Sequence, residues 1–116
     1  MSLDKVKALL HQARIDLENL CYDKCVSASY FSCRMAAELF LKSRGIEYLP
    51  RRDDKLINLL KNQGFKEEAE ELLLLYNLRK KADYSRELVE RNEAITALKT
   101  AEKLLSILVG RIDVAT

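Results

Sequence analysis

Apolar residues recur at steps of three and four along most of this chain, and the pattern is densest between Asp23 and Gly45. There Val26, Tyr30, Cys33, Ala37 and Leu41 form one helical stripe, and Ala28, Phe31, Met35 and Leu39 form a second on the adjoining flank. A helix that is apolar on two flanks needs two neighbours, so this stretch is predicted as the central helix. Its middle turns carry Ala28, Ser29, Ser32, Cys33, Ala36 and Ala37, small enough for partner helices to come close. Asp23 can accept from the free amides of the first turn, and Gly45 can take the left-handed conformation that closes a helix.

The flanking segments predict four more helices. Ser2 to Leu20 is amphipathic, with Ser2 as its N-cap and Val6, Leu9 or Leu10, Ala13, Leu17 and Leu20 on one face. Only about three residues link it to the central helix, which predicts antiparallel neighbours. After the irregular stretch Ile46 to Arg52, Asp53 or Asp54 caps a short helix carrying Leu56, Leu59 and Leu60, closed by Asn62, Gln63 and Gly64. Lys66 to Asp83 begins acidic and ends basic, complementing the helix dipole, with Phe65, Ala69, Leu72, Leu73 and Tyr76 as its stripe. Asn92 to Gly110 repeats Ala94, Leu98, Ala101, Leu105 and Leu108, widened by Ile95, Leu104 and Ile107. A surface that wide suggests a second subunit as well as the central helix. The predicted fold is all-α: an antiparallel up-and-down bundle of four long helices plus one short crossover helix, over residues 1–110, with 111–116 as a loose tail.

Composition agrees with one helical domain. The chain has 116 residues, 48% hydrophobic and 33% charged, with three Gly and one Pro, too few turn formers for a sheet protein. A net charge of +2 is too mild to indicate nucleic-acid binding by itself. No apolar run is long enough to span a membrane, and a soluble, cytoplasmic protein is expected. Cys21, Cys25 and Cys33 are an odd set, expected to be reduced. A zinc site would need four ligands, with only His11 to add and Cys33 already on a packed flank, so neither metal nor cofactor is expected.

The candidate chemistry lies at the end of the fourth helix. Continuing its stripe lands on Arg79 and then Asp83, one turn apart, a permanent cation in line with a buried face. Either this is an ion pair where the helix leaves the core, or Arg79 points into a cleft and holds a phosphate. Lys80, Lys81 and Arg86 would be further phosphate contacts. Glu38, a carboxylate on an otherwise apolar helix, needs a partner, and Glu38 or Asp83 is predicted to bond Arg79.

Two stretches together resemble the HEPN domain family. The central helix contains Ala36-Ala37-Glu38, with Lys42 four residues on, and the fourth helix ends in Leu78 to Ser85, LRKKADYS. The resemblance implies a helical bundle that forms a homodimer and often stands beside a minimal nucleotidyltransferase, the pair acting as toxin and antitoxin. It also implies, for many members, a metal-independent ribonuclease whose motif is an Arg followed after four to six residues by a His. Arg79 matches the Arg, but the permitted His positions hold Tyr84, Ser85 and Arg86, and His11 is far away in sequence. Histidine exchanges a proton near neutral pH, whereas tyrosine holds its own far above it, so weak or no ribonuclease activity is expected. The chain resembles instead the branch reading Arg-x-x-Ala-Asp-Tyr, matched by Arg79, Ala82, Asp83 and Tyr84. Three readings follow: a dimeric RNA- or nucleotide-associated binding module, a ribonuclease toxin using Arg79 and Tyr84, or a helical adaptor that binds protein through its last helix.

Overall fold

A computed structural model describes residues 3–115. They form five α-helices: α1 (Leu3–Glu18), α2 (Tyr22–Ser43), α3 (Asp53–Asn62), α4 (Lys66–Tyr84) and α5 (Arg91–Ala115). No strand occurs among the described residues. Ser2, the predicted cap of α1, lies outside them.

The central place of α2 follows from its small residues. Val26, Tyr30, Cys33, Ala37 and Leu41 are all fully buried, and so are Ser29, Ser32 and Ala36, so α1, α4 and α5 pack directly against its backbone ridge. The Cys33 thiol sits deep in the α2–α5 seam, its Sγ 3.7 Å from the Ala101 carbonyl. Burial pushes this thiol up to about 12, which keeps it protonated and inert. The second flank of α2 is covered only in part. Ala28 is buried, Met35 and Leu39 are half-buried, and Phe31 stands open at the surface.

The broad stripe of α5 is core of this one chain. Ala94, Leu98, Ala101, Leu104, Leu105 and Leu108 are buried, with Ile95 and Ile107 half-buried beside them. A second subunit is therefore not needed to cover it. The helix also runs past Gly110 to Ala115, because Ile112 continues the stripe one turn beyond Leu108 and is itself buried. In α4 the inward face is Phe65, Ala69, Leu72 and Leu75, while Leu73 is turned to solvent. The run Leu72 to Leu75 has no polar break to set its phase.

Helix starts differ from the predicted caps. Cys21 occupies the N-cap of α2 without a side-chain bond, which places Asp23 inside the first turn. Arg52 is the N-cap of α3, Asp54 accepts from the Lys55 amide at 2.9 Å, and Asp53 turns away to other partners. The start of α5 is closed by Glu93, whose carboxylate accepts the Glu90 amide at 3.0 Å in a capping-box arrangement.

Three helices end in the same way. At α2 the Ile46 amide reaches back to Leu41 and Gly45 to Lys42; at α3 Phe65 reaches Leu60 and Gly64 reaches Lys61. Gly45 and Gly64 have φ of 90° and 95°. The end of α1 has the same pair of bonds, Cys21 to Asp16 and Leu20 to Leu17, but its left-handed residue is Leu20, at φ 62° and 69% exposed. A left-handed side-chain residue costs about 1–2 kcal/mol, more than the roughly 0.4–1 kcal/mol that glycine adds to unfolded-chain freedom. Leu20→Gly is therefore expected to raise stability by about 0.5–1 kcal/mol, read as a higher urea midpoint with unchanged slope.

Candidate functional site

Arg79 leaves the last turns of α4 and lies in a closed setting, its side chain only 16% exposed. Its Nε donates to Asp83 Oδ2 at 3.0 Å, and its Nη1 approaches Asp53 Oδ2 at 3.5 Å. The guanidinium carbon is 4.6 Å from the centre of the Phe31 ring, 5.6 Å from Tyr30 and 5.8 Å from Tyr84. Aromatic faces are electron-rich, so the rings hold the cation as the carboxylates do. Asp83 is itself fixed from the other side by Ser27 Oγ, which donates to Oδ1 at 2.8 Å.

The centre of the cluster is Asp53, at the first turn of α3. Its Oδ1 accepts from both the Tyr30 hydroxyl and Arg34 Nη1, while Oδ2 faces Arg79. Arg34 is saturated: its Nε donates to Glu38 at 3.1 Å, and its Nη2 donates to the Pro50 and Arg51 carbonyls at 3.3 and 2.9 Å. One carboxylate thus joins α2, α3 and α4, and the 44–52 linker is tied in through Arg34. Burial, then the Asp53 carboxylate, pushes the Tyr30 phenol well above its ordinary range, so Tyr30 acts here as a neutral donor.

Of the predicted partners of Arg79, Asp83 bonds it directly and Glu38 does not. Glu38 is taken by Arg34, its neighbour one turn back, and connects to Arg79 only through the chain Glu38, Arg34, Asp53, Arg79. Lys81, predicted as a phosphate contact, is turned instead to Glu93, with both oxygens at 3.0 Å and Glu87 at 3.7 Å. The Glu93 bond raises the Lys81 pKa, and the pair staples the end of α4 to the start of α5. Lys80 lies over the Tyr76 ring at 4.7 Å. Arg86 is exposed in the 85–90 joint and makes no ion pair among the described residues. Tyr84 is 74% exposed. His11 is exposed on α1.

Beside Asp83 and Phe31 opens a shallow groove of about 450 Å³. Asp16, Asp23 and Asp83 line it against a single cation, Lys24. Asp83 is itself paired with Arg79, which leaves Asp16 and Asp23 against Lys24 as the groove's other charges. Arg34 was not singled out from the sequence, and Asp53 was named there only as a candidate helix cap, not as a site residue. Arg34 carried a readable signal, a cation four residues before Glu38 on one helix face. Asp53 carried none, since its partners are 19 to 26 residues away and meet it only through helix crossing.

The site is therefore a charge-compensated cluster of arginines, carboxylates and aromatic rings in an all-helical protein. A family model described as HEPN domain matches residues 2–112, and the chain belongs to that family. Comparison with curated proteins finds no match. No helix among the described residues is long and apolar enough to cross a membrane.

Proposed function

We propose that this protein is a non-catalytic HEPN module that acts as a homodimer, associates with RNA or a nucleotide, and pairs with a minimal nucleotidyltransferase in a toxin-antitoxin-like arrangement. In this reading the four long helices form the antiparallel up-and-down scaffold and α3 the crossover. The observation that carries the proposal is the commitment of Arg79. A guanidinium that steadies a scissile phosphate must be free to meet it, whereas this one has two carboxylates on its donors and three rings around it. The position suited to a histidine holds Tyr84 or its two successors, and the neighbouring groove is acidic. Phe31 and Tyr84, both exposed beside Arg79, favour contact with a second copy. Lys80 and Arg86 remain as the accessible cations for a phosphate.

The ribonuclease reading, with Arg79 and Tyr84 as its groups, makes the opposite forecast. Labelled RNA incubated with wild type and with Arg79→Ala should stay intact in both, and light scattering should give twice the 13.4 kDa chain mass. Cleavage by wild type that Arg79→Ala loses would establish the ribonuclease, and a strict monomer at micromolar concentration would overturn the dimeric module. The adaptor reading relied on the α5 stripe, of which Ala94, Leu98, Ala101, Leu104, Leu105 and Leu108 are buried within the chain while Ile95 and Ile107 stay half-buried.

A further inference from the structure

We infer that the 44–52 linker is a binding strap for single-stranded RNA, with Tyr48 stacking on an unpaired base and Arg51 and Lys55 taking the flanking phosphates. The first observation is where the charge lies. Residues 42–61 hold six Lys or Arg against three Asp or Glu, so this one segment carries the whole positive excess of a chain whose net charge is only +2. Two of its three acids are already occupied. Asp53 is taken by Arg34 and Arg79 from other helices, and Asp54 by Arg52. Arg51 and Lys55 are exposed and make no ion pair among the described residues, and Glu47 is the remaining acid.

The second observation is the display of an aromatic ring. Tyr48 is 88% exposed, the most open large apolar side chain among the described residues. Its neighbours hold it there. Ile46 and Leu49 pack against the core, the Ile46 amide donates to the Leu41 carbonyl at 3.3 Å, and Arg34 Nη2 donates to the Pro50 and Arg51 carbonyls. The linker is thus anchored on both sides of Tyr48 and stiffened by Pro50, so little ordering entropy is lost when a ligand meets the ring. An open ring face beside uncommitted cations suits a strand whose bases are unstacked and whose backbone is anionic. Arg51 is three residues from Tyr48, at most about 11 Å along the chain, close enough for one short stretch of strand to meet both. A duplex offers no such base face, because its bases are stacked within the helix. The strap uses no donor of the Arg79 cluster: Arg34 meets the linker only through backbone carbonyls, which leaves the tie between α4 and α3 closed.

The inference goes beyond the reading above by naming where RNA lies, and rests on it for the ligand class. A fluorescein-labelled oligouridylate of about 12 nucleotides, titrated with the full chain and followed by anisotropy, tests the two separately. Tyr48→Ala should weaken binding about tenfold or more, while Tyr48→Phe, which keeps the ring, should bind as wild type does. Arg51→Ala should weaken binding and lower the slope of log affinity against log salt by about 0.7, one phosphate contact fewer. Both positions are exposed, so the urea midpoints of these variants should match wild type. An A–U duplex of the same length should compete at least about tenfold less well. Wild-type affinity in Tyr48→Ala, equal weakening in Tyr48→Phe, or equal competition by the duplex overturns the strap and leaves RNA association standing. Unchanged RNA binding by Tyr48→Ala together with an altered light-scattering mass would assign the ring to a protein contact, and overturns the strap as well. No binding by wild type at about 100 μM chain in low salt overturns the strap and the RNA reading together.

Discussion

Asp53→Ala is expected to lower the free energy of unfolding by about 2–4 kcal/mol, measured by urea denaturation, although the residue lies on the shortest helix and 21% of its side chain is exposed. The reason is what the substitution leaves behind. Arg34 and Arg79 are only 14% and 16% exposed, and both donate toward this carboxylate together with the Tyr30 hydroxyl. Removing the acceptor strands two partly desolvated cations and a buried phenol, a larger penalty than the ion pairs themselves were worth. The effect should exceed that of Asp54→Ala, one residue along, because Asp54 pairs only with the exposed Arg52.

Phe40→Ala is expected to be more damaging still, at about 3–5 kcal/mol. Phe40 is 1% exposed, and its ring meets Phe65 edge-on at 4.7 Å, joining the end of α2 to the start of α4. Arg44 closes the pair from outside, its guanidinium 5.6 Å from one ring and 5.2 Å from the other. Truncation leaves a cavity that the short α3–α4 turn is poorly placed to collapse into. For a domain of this size the loss corresponds to a fall in melting temperature of about 12–20 °C, readable by circular dichroism. By contrast Phe31→Ala, at a residue 40% exposed, should cost far less stability, its ring serving Arg79 more than the core.

The helices were legible because their information is local. The α2 and α5 stripes could be read at a period near 3.6, and the glycines closing α2 and α3 mark true left-handed positions. Where period failed, the cause was specific. Four consecutive leucines left the phase of α4 open, so Leu73 was expected inside and Leu75 took its place. Gly110 looked like a stop, yet Ile112 lay on the stripe one turn beyond it and carried the helix onward. The site was half legible for the same reason. Arg79 and Asp83 are neighbours on one helix and could be paired from spacing, whereas Asp53 joins them only because α3 crosses near the ends of α2 and α4. Glu38 was expected to need a partner, with Arg79 as one candidate for it, and the cation that meets it is Arg34, one turn before it on the same helix.

The whole account depends on Arg79 being a structural tie between α4 and α3 and not a free group awaiting substrate. A double-mutant cycle of Arg79→Ala and Asp53→Ala, with unfolding free energies from urea denaturation, tests that tie directly. The expected result is a coupling energy of about 1 kcal/mol or more between the two residues. Losses that add to within about 0.3 kcal/mol would mean that Arg79 does not hold α3, and would contradict the account.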